Sequence, residues 1–207
     1  MKQSPRKSIL FSAVAFLTLG LGISLQIKAG VGQSMFNAFS LTVSEPLGIE
    51  VGTMINGLNL LFFLLYFFLR RSRLNHRDLI QLAAITANGF VINFFVYSVF
   101  SSFTLQIYAL RMLVFILGLC LSSVSLGAIL AIGIVKFPLE SLCIELGNRL
   151  GISLSNIRMR FDVGFLLGTL ILTAVLGTTL HIREGTLVSF FLLSRLMGYS
   201  YDYWVAS

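Results

Sequence analysis

The chain has 207 residues, 57% of them hydrophobic and only 11% charged, with a mean hydropathy of +0.92. A water-soluble domain of this length needs far more charge on its surface, so composition excludes that class and indicates a polytopic membrane protein in contact with a lipid bilayer. The net charge of +7 would suit nucleic acid in a polar chain; in one this apolar, basic residues mark cytoplasmic loops and anionic headgroups, and no nucleic-acid partner is expected.

In chain order, apolar runs about the length of a membrane span occupy 8–28, 52–70, 79–100, 106–132, 157–180 and 184–204. The first follows a basic start, "MKQSPRK", which imitates a signal peptide. Its apolar run, Ile9 to Ile27, exceeds an ordinary signal core, and an uncleaved first span is expected. Two shorter segments interrupt the series. "QSMFNAFSLTVSEP" (33–46) separates the first two spans, and "KFPLESLCIELGNRLG" (136–151) separates the fourth from the fifth, with a short helix expected over 137–149.

The two halves, 1–104 and 105–207, align on each other. A shift of 103 residues places Leu47, Gly48 and Ile49 on Leu150, Gly151 and Ile152, Gly30 on Gly133, Asn37 on Glu140 and Asn59 on Asp162. Further along, a shift of 109 places Gly89 on Gly198 and Asn93 on Asp202. If 8–28 corresponds to 111–131, the first span belongs to the mature fold.

Charge decides between spanning and returning for the short segments. Were 33–46 to cross the bilayer, Arg70, Arg71, Arg73 and Arg77 would face outward when the N-terminus is cytoplasmic, against the positive-inside tendency. If both short segments enter and return, Lys2, Arg6, Lys7, those four arginines, Lys136 and Arg149 all face inward. Lys28, Arg111 and Arg183 remain outside near span ends. The expected fold is therefore all-α, with six transmembrane helices and two re-entrant or broken helices. Three spans per half make the repeats inverted, as in many secondary transporters. Gly30 and Gly32 turn the chain into the first short helix, and Pro46 with Gly48 ends it.

The run of "AGVGQSMFNA", "LGIEVGT", "KFPLESL" and "LGISLSNIR" resembles the YczE/YitT-type group of uncharacterised bacterial integral membrane proteins. The resemblance covers nearly the whole chain. It implies a multi-pass protein of the bacterial inner (plasma) membrane and brings no reaction or substrate with it. In that group a proline commonly opens each short segment; here Met35 stands opposite Pro138. The charge pattern sets both termini in the cytoplasm.

Ionisable groups within spans face a partner, a cavity or the interface. "NIRMRFD" carries Arg158, Arg160 and Asp162, and Arg158 and Asp162 are spaced to pair on a helix, unless both arginines reach the headgroups. Glu140 sits in the first turn of the second short helix, where it answers the helix dipole or holds a cation or proton. Gln33, Ser34 and Asn37 from the first half, with Glu140 and Ser141 from the second, are the expected substrate-binding groups, joined by Arg158, Arg160 and Asp162. Asn56, Asn59, Asn88 and Asn93 suit hydrogen bonds between helices. Tyr199, Tyr201, Tyr203 and Trp204 suit an interfacial belt. His76 and His181 fall in loops, where solvation is expected.

Cys120 and Cys143 lie in apolar sequence without metal or disulfide spacing, so neither a metal nor a cofactor is expected. No HExxH, GxSxG or phosphate-binding glycine loop is present, and no enzyme is expected. The functional expectation is a small-solute or ion transporter with its site between two inverted repeats. The alternative is a non-transporting regulatory, assembly or scaffold protein. A homo-oligomer or a membrane partner protein is compatible with either.

Overall fold

The structure, a computed structural model, describes residues 5–70, 76–133 and 137–206. Lys2, Arg71, Arg73 and Lys136, which entered the charge argument, lie outside the described residues. Every element among the described residues is helical. In order they are α1 (Pro5–Ala29), α2 (Met35–Leu47), α3 (Val51–Arg70), α4 (His76–Asn93, with a π-helical end at Phe94–Val99), α5 (Tyr108–Ile132), α6 (Pro138–Leu150), α7 (Leu154–Leu176) and α8 (Glu184–Ala206).

The short helices are α2 and α6, thirteen residues each. The Ser34 hydroxyl accepts the Asn37 backbone N–H at 3.4 Å and so starts α2, leaving Gln33 in the preceding loop rather than on the helix as expected. Pro138 opens α6, where its missing N–H removes no helical bond. Both end alike. Gly48 has φ +65° and Gly151 φ +66°, left-handed conformations in which their amides and those that follow bond back to the last turn. Pro46 is still within α2, so Gly48 alone makes the stop. Gly30 and Gly133, which terminate α1 and α5, also share a positive φ, +60° and +67°.

Two groups of helices make the body. In the first, α1 and α5 cross antiparallel: Thr18 Oγ1 lies 2.7 Å from Ser125 Oγ, and Gln26 Nε2 donates to Ser122 Oγ at 2.8 Å. Between these bonds the backbones nearly touch. A Cβ on Gly22 would lie 2.7 Å from the Gly118 carbonyl oxygen, and one on Gly118 would lie 2.6 Å from that of Gly22. Helix α4 packs on α1, where Ser24 Oγ donates to Ile92 O at 3.4 Å, and α8 packs on α5, where Ser200 Oγ donates to Val124 O at 2.8 Å.

The second group joins α2, α3, α6 and α7 around phenylalanines. Phe62 and Phe165 meet edge to face at 6.0 Å, Phe36 and Phe39 lie 5.6 and 5.5 Å from Phe165, and Leu139, Leu142 and Cys143 are buried beside them. Helix α2 runs parallel to α7: its start packs on Phe165, Phe39 fills the space over Gly168, and Glu45 at its end reaches Thr179 beyond α7. At the opposite end Arg149 of α6 donates to the carbonyl of Leu69 on α3. Helix α3 is also tied to α4, through Asn93 Oδ1 accepting Gly52 N–H at 2.6 Å and Asn56 donating to Thr86 O at 3.0 Å.

Exchanging α1–α4 with α5–α8 maps α1·α4 onto α5·α8, α2·α7 onto α6·α3 and α2·α3 onto α6·α7. The α3·α4 contact has no counterpart of similar extent.

Among the described residues, five helices are long and apolar enough to cross a membrane: Phe11–Ala29, Val51–Arg70, Asp78–Val99, Tyr108–Ile132 and Asn156–Leu176. The sixth expected span is helix α8, 23 residues long, but Glu184, Arg195 and Asp202 interrupt its apolar sequence and it is not among the five. Their apolar outer faces, Leu61, Leu65, Phe90, Leu113 and Ile171 among them, are exposed, as lipid-facing surface is.

The α1–α5 crossing yields a direct test. Gly118→Ala places a methyl against backbone that cannot swing away and should destabilise the protein by about 1–3 kcal/mol. Gly164→Ala, in open space on α7, should be neutral or stabilise by up to about 1 kcal/mol. Thermal unfolding in detergent measures both; equal stability of the two variants would refute the close crossing.

Candidate functional site

A cavity of about 710 Å³ lies where the two groups of helices meet. Ser34 and Met35 line it from the start of α2, and Glu140 and Cys143 from the first half of α6. Helix α7 adds Arg158, Met159 and Asp162. Leu126 and Leu130 of α5 form one wall, and Ser189, Leu193 and Met197 of α8 another.

The ionic centre is a triad. Arg158 donates from Nη1 to Glu140 Oε1 and from Nε to Asp162 Oδ2, the latter at 3.3 Å. The Arg158–Asp162 pair was expected from spacing on one helix. The bond to Glu140, which joins α6 to α7, was not expected from the sequence. The side chains of Arg158 and Glu140 are 33% exposed and that of Asp162 19%, so all three are partly open to the cavity.

The edge of the cavity at Ser34 is fixed by two arginines that faced outward in the sequence reading. Arg111 donates from Nε to Ala29 O at 2.7 Å and from Nη2 to Gly30 O at 2.6 Å, capping the carbonyl end of α1. Arg183 Nη1 adds a bond to Gly30 O at 3.1 Å. Gly185 N–H donates to Val31 O at 2.8 Å and Gln33 N–H to Thr186 Oγ1 at 3.1 Å, so the 30–34 loop is sewn to the start of α8. Gly32 is required there, since a Cβ would lie 2.6 Å from the Thr186 amide nitrogen.

Of the eight expected binding residues, Ser34, Glu140, Arg158 and Asp162 line the cavity. Asn37 and Ser141 are buried one turn into their helices without lining it. Gln33 is buried in the loop, its Oε1 without a hydrogen-bond partner. Arg160 points to the exposed side of α7, away from the cavity. Sequence reasoning missed Ser189: it is 2% exposed, lines the cavity, and its hydroxyl has no partner. A serine in an apolar helix gives no signal of its own until the fold sets it in a cavity wall. His181 likewise departs from expectation. It lies 3.3 Å from Glu45, whose carboxyl is held below its ordinary value by the Thr179 hydroxyl, the Thr179 amide and His181.

No group of three or more His, Cys, Asp or Glu side chains converges as a metal site among the described residues. Each carboxylate of the triad gives Arg158 one partner, so either Glu140→Gln or Asp162→Asn should be tolerated. The double variant leaves the guanidinium unpaired, and its destabilisation should exceed the sum of the singles by about 0.5–3 kcal/mol in thermal unfolding. Additive losses would mean that Arg158 is held by something other than the triad.

No curated protein and no solved structure matches the chain. A family profile does, over residues 6–201, which run from the first turn of α1 into α8. The profile carries no YczE/YitT designation, and that likeness rests on the motifs quoted above. The chain belongs to the family of unknown function DUF6198.

Proposed function

We propose that the protein is a small-solute or ion transporter of the bacterial inner membrane, with its site in the cavity between two inverted repeats. One observation carries the reading: the starts of both short helices and the Arg158 triad line the same cavity. Broken or re-entrant helices whose N-termini converge on a central site are a recurrent transporter device, because those ends present unpaired amides and partial positive charge to a ligand. Here α8 is the sixth span, despite its charges, and residues 1–104 and 105–207 are the repeats.

The repeat is supported by the phenylalanine cluster. At the shift of 103 residues, Phe62 falls on Phe165, Leu58 on Phe161, Phe36 on Leu139 and Phe39 on Leu142, and all eight belong to one core. Phe62 and Phe165 touch one another, as equivalent residues near a two-fold axis do. The shared φ of Gly48 and Gly151, and of Gly30 and Gly133, adds backbone evidence at positions aligned from sequence. The repeats have diverged at the site itself, where Asn37, Ile55 and Asn59 stand opposite Glu140, Arg158 and Asp162. Ligand chemistry is thus carried by the second repeat.

The scaffold alternative draws on α7. Only 11% of its apolar window is buried, against 39–50% for the other four, which leaves a long face for a homo-oligomer or membrane partner.

Reconstitution separates the two. Ser189→Ala and Glu140→Ala should leave a stable, membrane-inserted protein that has lost ligand-dependent thermal stabilisation and solute uptake in proteoliposomes. In a scaffold both variants remain fully functional, and no solute in a broad panel shifts the wild-type melting temperature. The topology is tested in intact cells: a cysteine at Ser102 should react with an impermeant thiol reagent and one at Asn148 should not, both positions being exposed. The reverse labelling would overturn the orientation.

A further inference from the structure

The charge in the cavity is unbalanced, and its walls are apolar. Among the described lining residues two carboxylates, Glu140 and Asp162, share the single guanidinium of Arg158, leaving a formal charge of −1. Arg158 already spends a donor on each carboxylate. An anion entering the cavity faces both acids, even where it meets a free guanidinium N–H. A cation meets the uncompensated carboxylate charge and breaks nothing.

The remaining lining fixes the kind of cation. Met35, Met159 and Met197, with Leu126, Leu130 and Phe190, surround the triad with polarisable, adaptable or aromatic surface. Thioethers fit ligands of varied shape, and an aromatic face attracts a cation. The volume of about 710 Å³ is that of a small-molecule site and far exceeds a bare inorganic ion. Ser189 adds a polar residue to the wall: it is 2% exposed and its hydroxyl has no hydrogen-bond partner within the protein. Buried hydroxyls are normally satisfied, and a small rotation of this side chain would offer it to an ammonium N–H or an ordered water.

We propose that this cavity binds a hydrophobic organic cation, its charged centre beside Glu140 and Asp162 and its apolar body against the methionine and leucine walls. The proposal rests on the reading of the cavity as a solute site and adds the substrate class.

The test compares two probes of the same shape and opposite charge, tetraphenylphosphonium and tetraphenylborate, on the purified full-length protein in detergent. Tetraphenylphosphonium should bind saturably at one site by equilibrium dialysis, and tetraphenylborate should neither bind there nor compete. Glu140→Gln should weaken cation binding tenfold or more; Arg158→Gln, which removes a cation from the lining, should strengthen it. Tighter binding of tetraphenylborate, or cation binding unchanged in both variants, would overturn the proposal. The charge comparison on wild-type protein needs no variant to fold. Thermal stabilisation by neutral or anionic solutes, lost in Ser189→Ala while tetraphenylphosphonium fails to bind, would overturn the cation class and leave the solute site standing. Absence of stabilisation by any solute would overturn both.

Discussion

A helix of thirteen residues is about 20 Å long, and the hydrocarbon of a bilayer is about 30 Å thick. Neither α2 nor α6 can cross, so at least one end of each, with its unpaired backbone groups, must be satisfied by protein or by water in a cavity. Much of the architecture follows from that requirement. Ser34 and Pro138 settle the starts, left-handed Gly48 and Gly151 settle the ends, and Arg111 with Arg183 holds the loop that leads into α2. Helices α3 and α7 flank both short helices, so each short helix is walled by a long one from the other half.

The same arrangement separates residues that hold the fold from residues that face the cavity. Phe36, Phe39, Phe62 and Phe165 pack into one core with residues of both short helices. Gly22 and Gly118 bring α1 and α5 close enough for backbone contact and act only in packing. Glu140 belongs to both classes, for its bond to Arg158 ties α6 to α7 and also sets charge on the cavity wall.

Much of this was legible in the chain because its signals are local. Apolar length gave the helices, and glycine at aligned positions gave the same turns in both halves, as Gly48 and Gly151 demonstrate. The Arg158–Asp162 pair followed from a spacing of four. Three features were not legible, each because it depends on contacts between distant segments. The Glu140–Arg158 bond crosses from one helix to another. The cap that Arg111 places on α1 spans 82 residues of sequence. Ser189 gained significance only from its place in the wall of the same cavity as the triad. Arg160 marks the opposite limit: two residues from Arg158, it stands on another face of α7, which a list of nearby charges does not distinguish.

The central claim is that both short helices start at one water-reached cavity, and the most direct measurement is thiol reactivity. With Cys120 and Cys143 replaced by serine, single cysteines would be placed at Ser34, Ser189, Ser102 and Val175 in purified protein and treated with a charged methanethiosulfonate. Thiols in water ionise and react, and thiols in lipid or detergent hydrocarbon do not. The account predicts modification at Ser34 and Ser189, slower than at exposed Ser102, with no reaction at the outward-facing Val175. Positions 34 and 189 as inert as 175, in protein whose position 102 reacts fully, would contradict it.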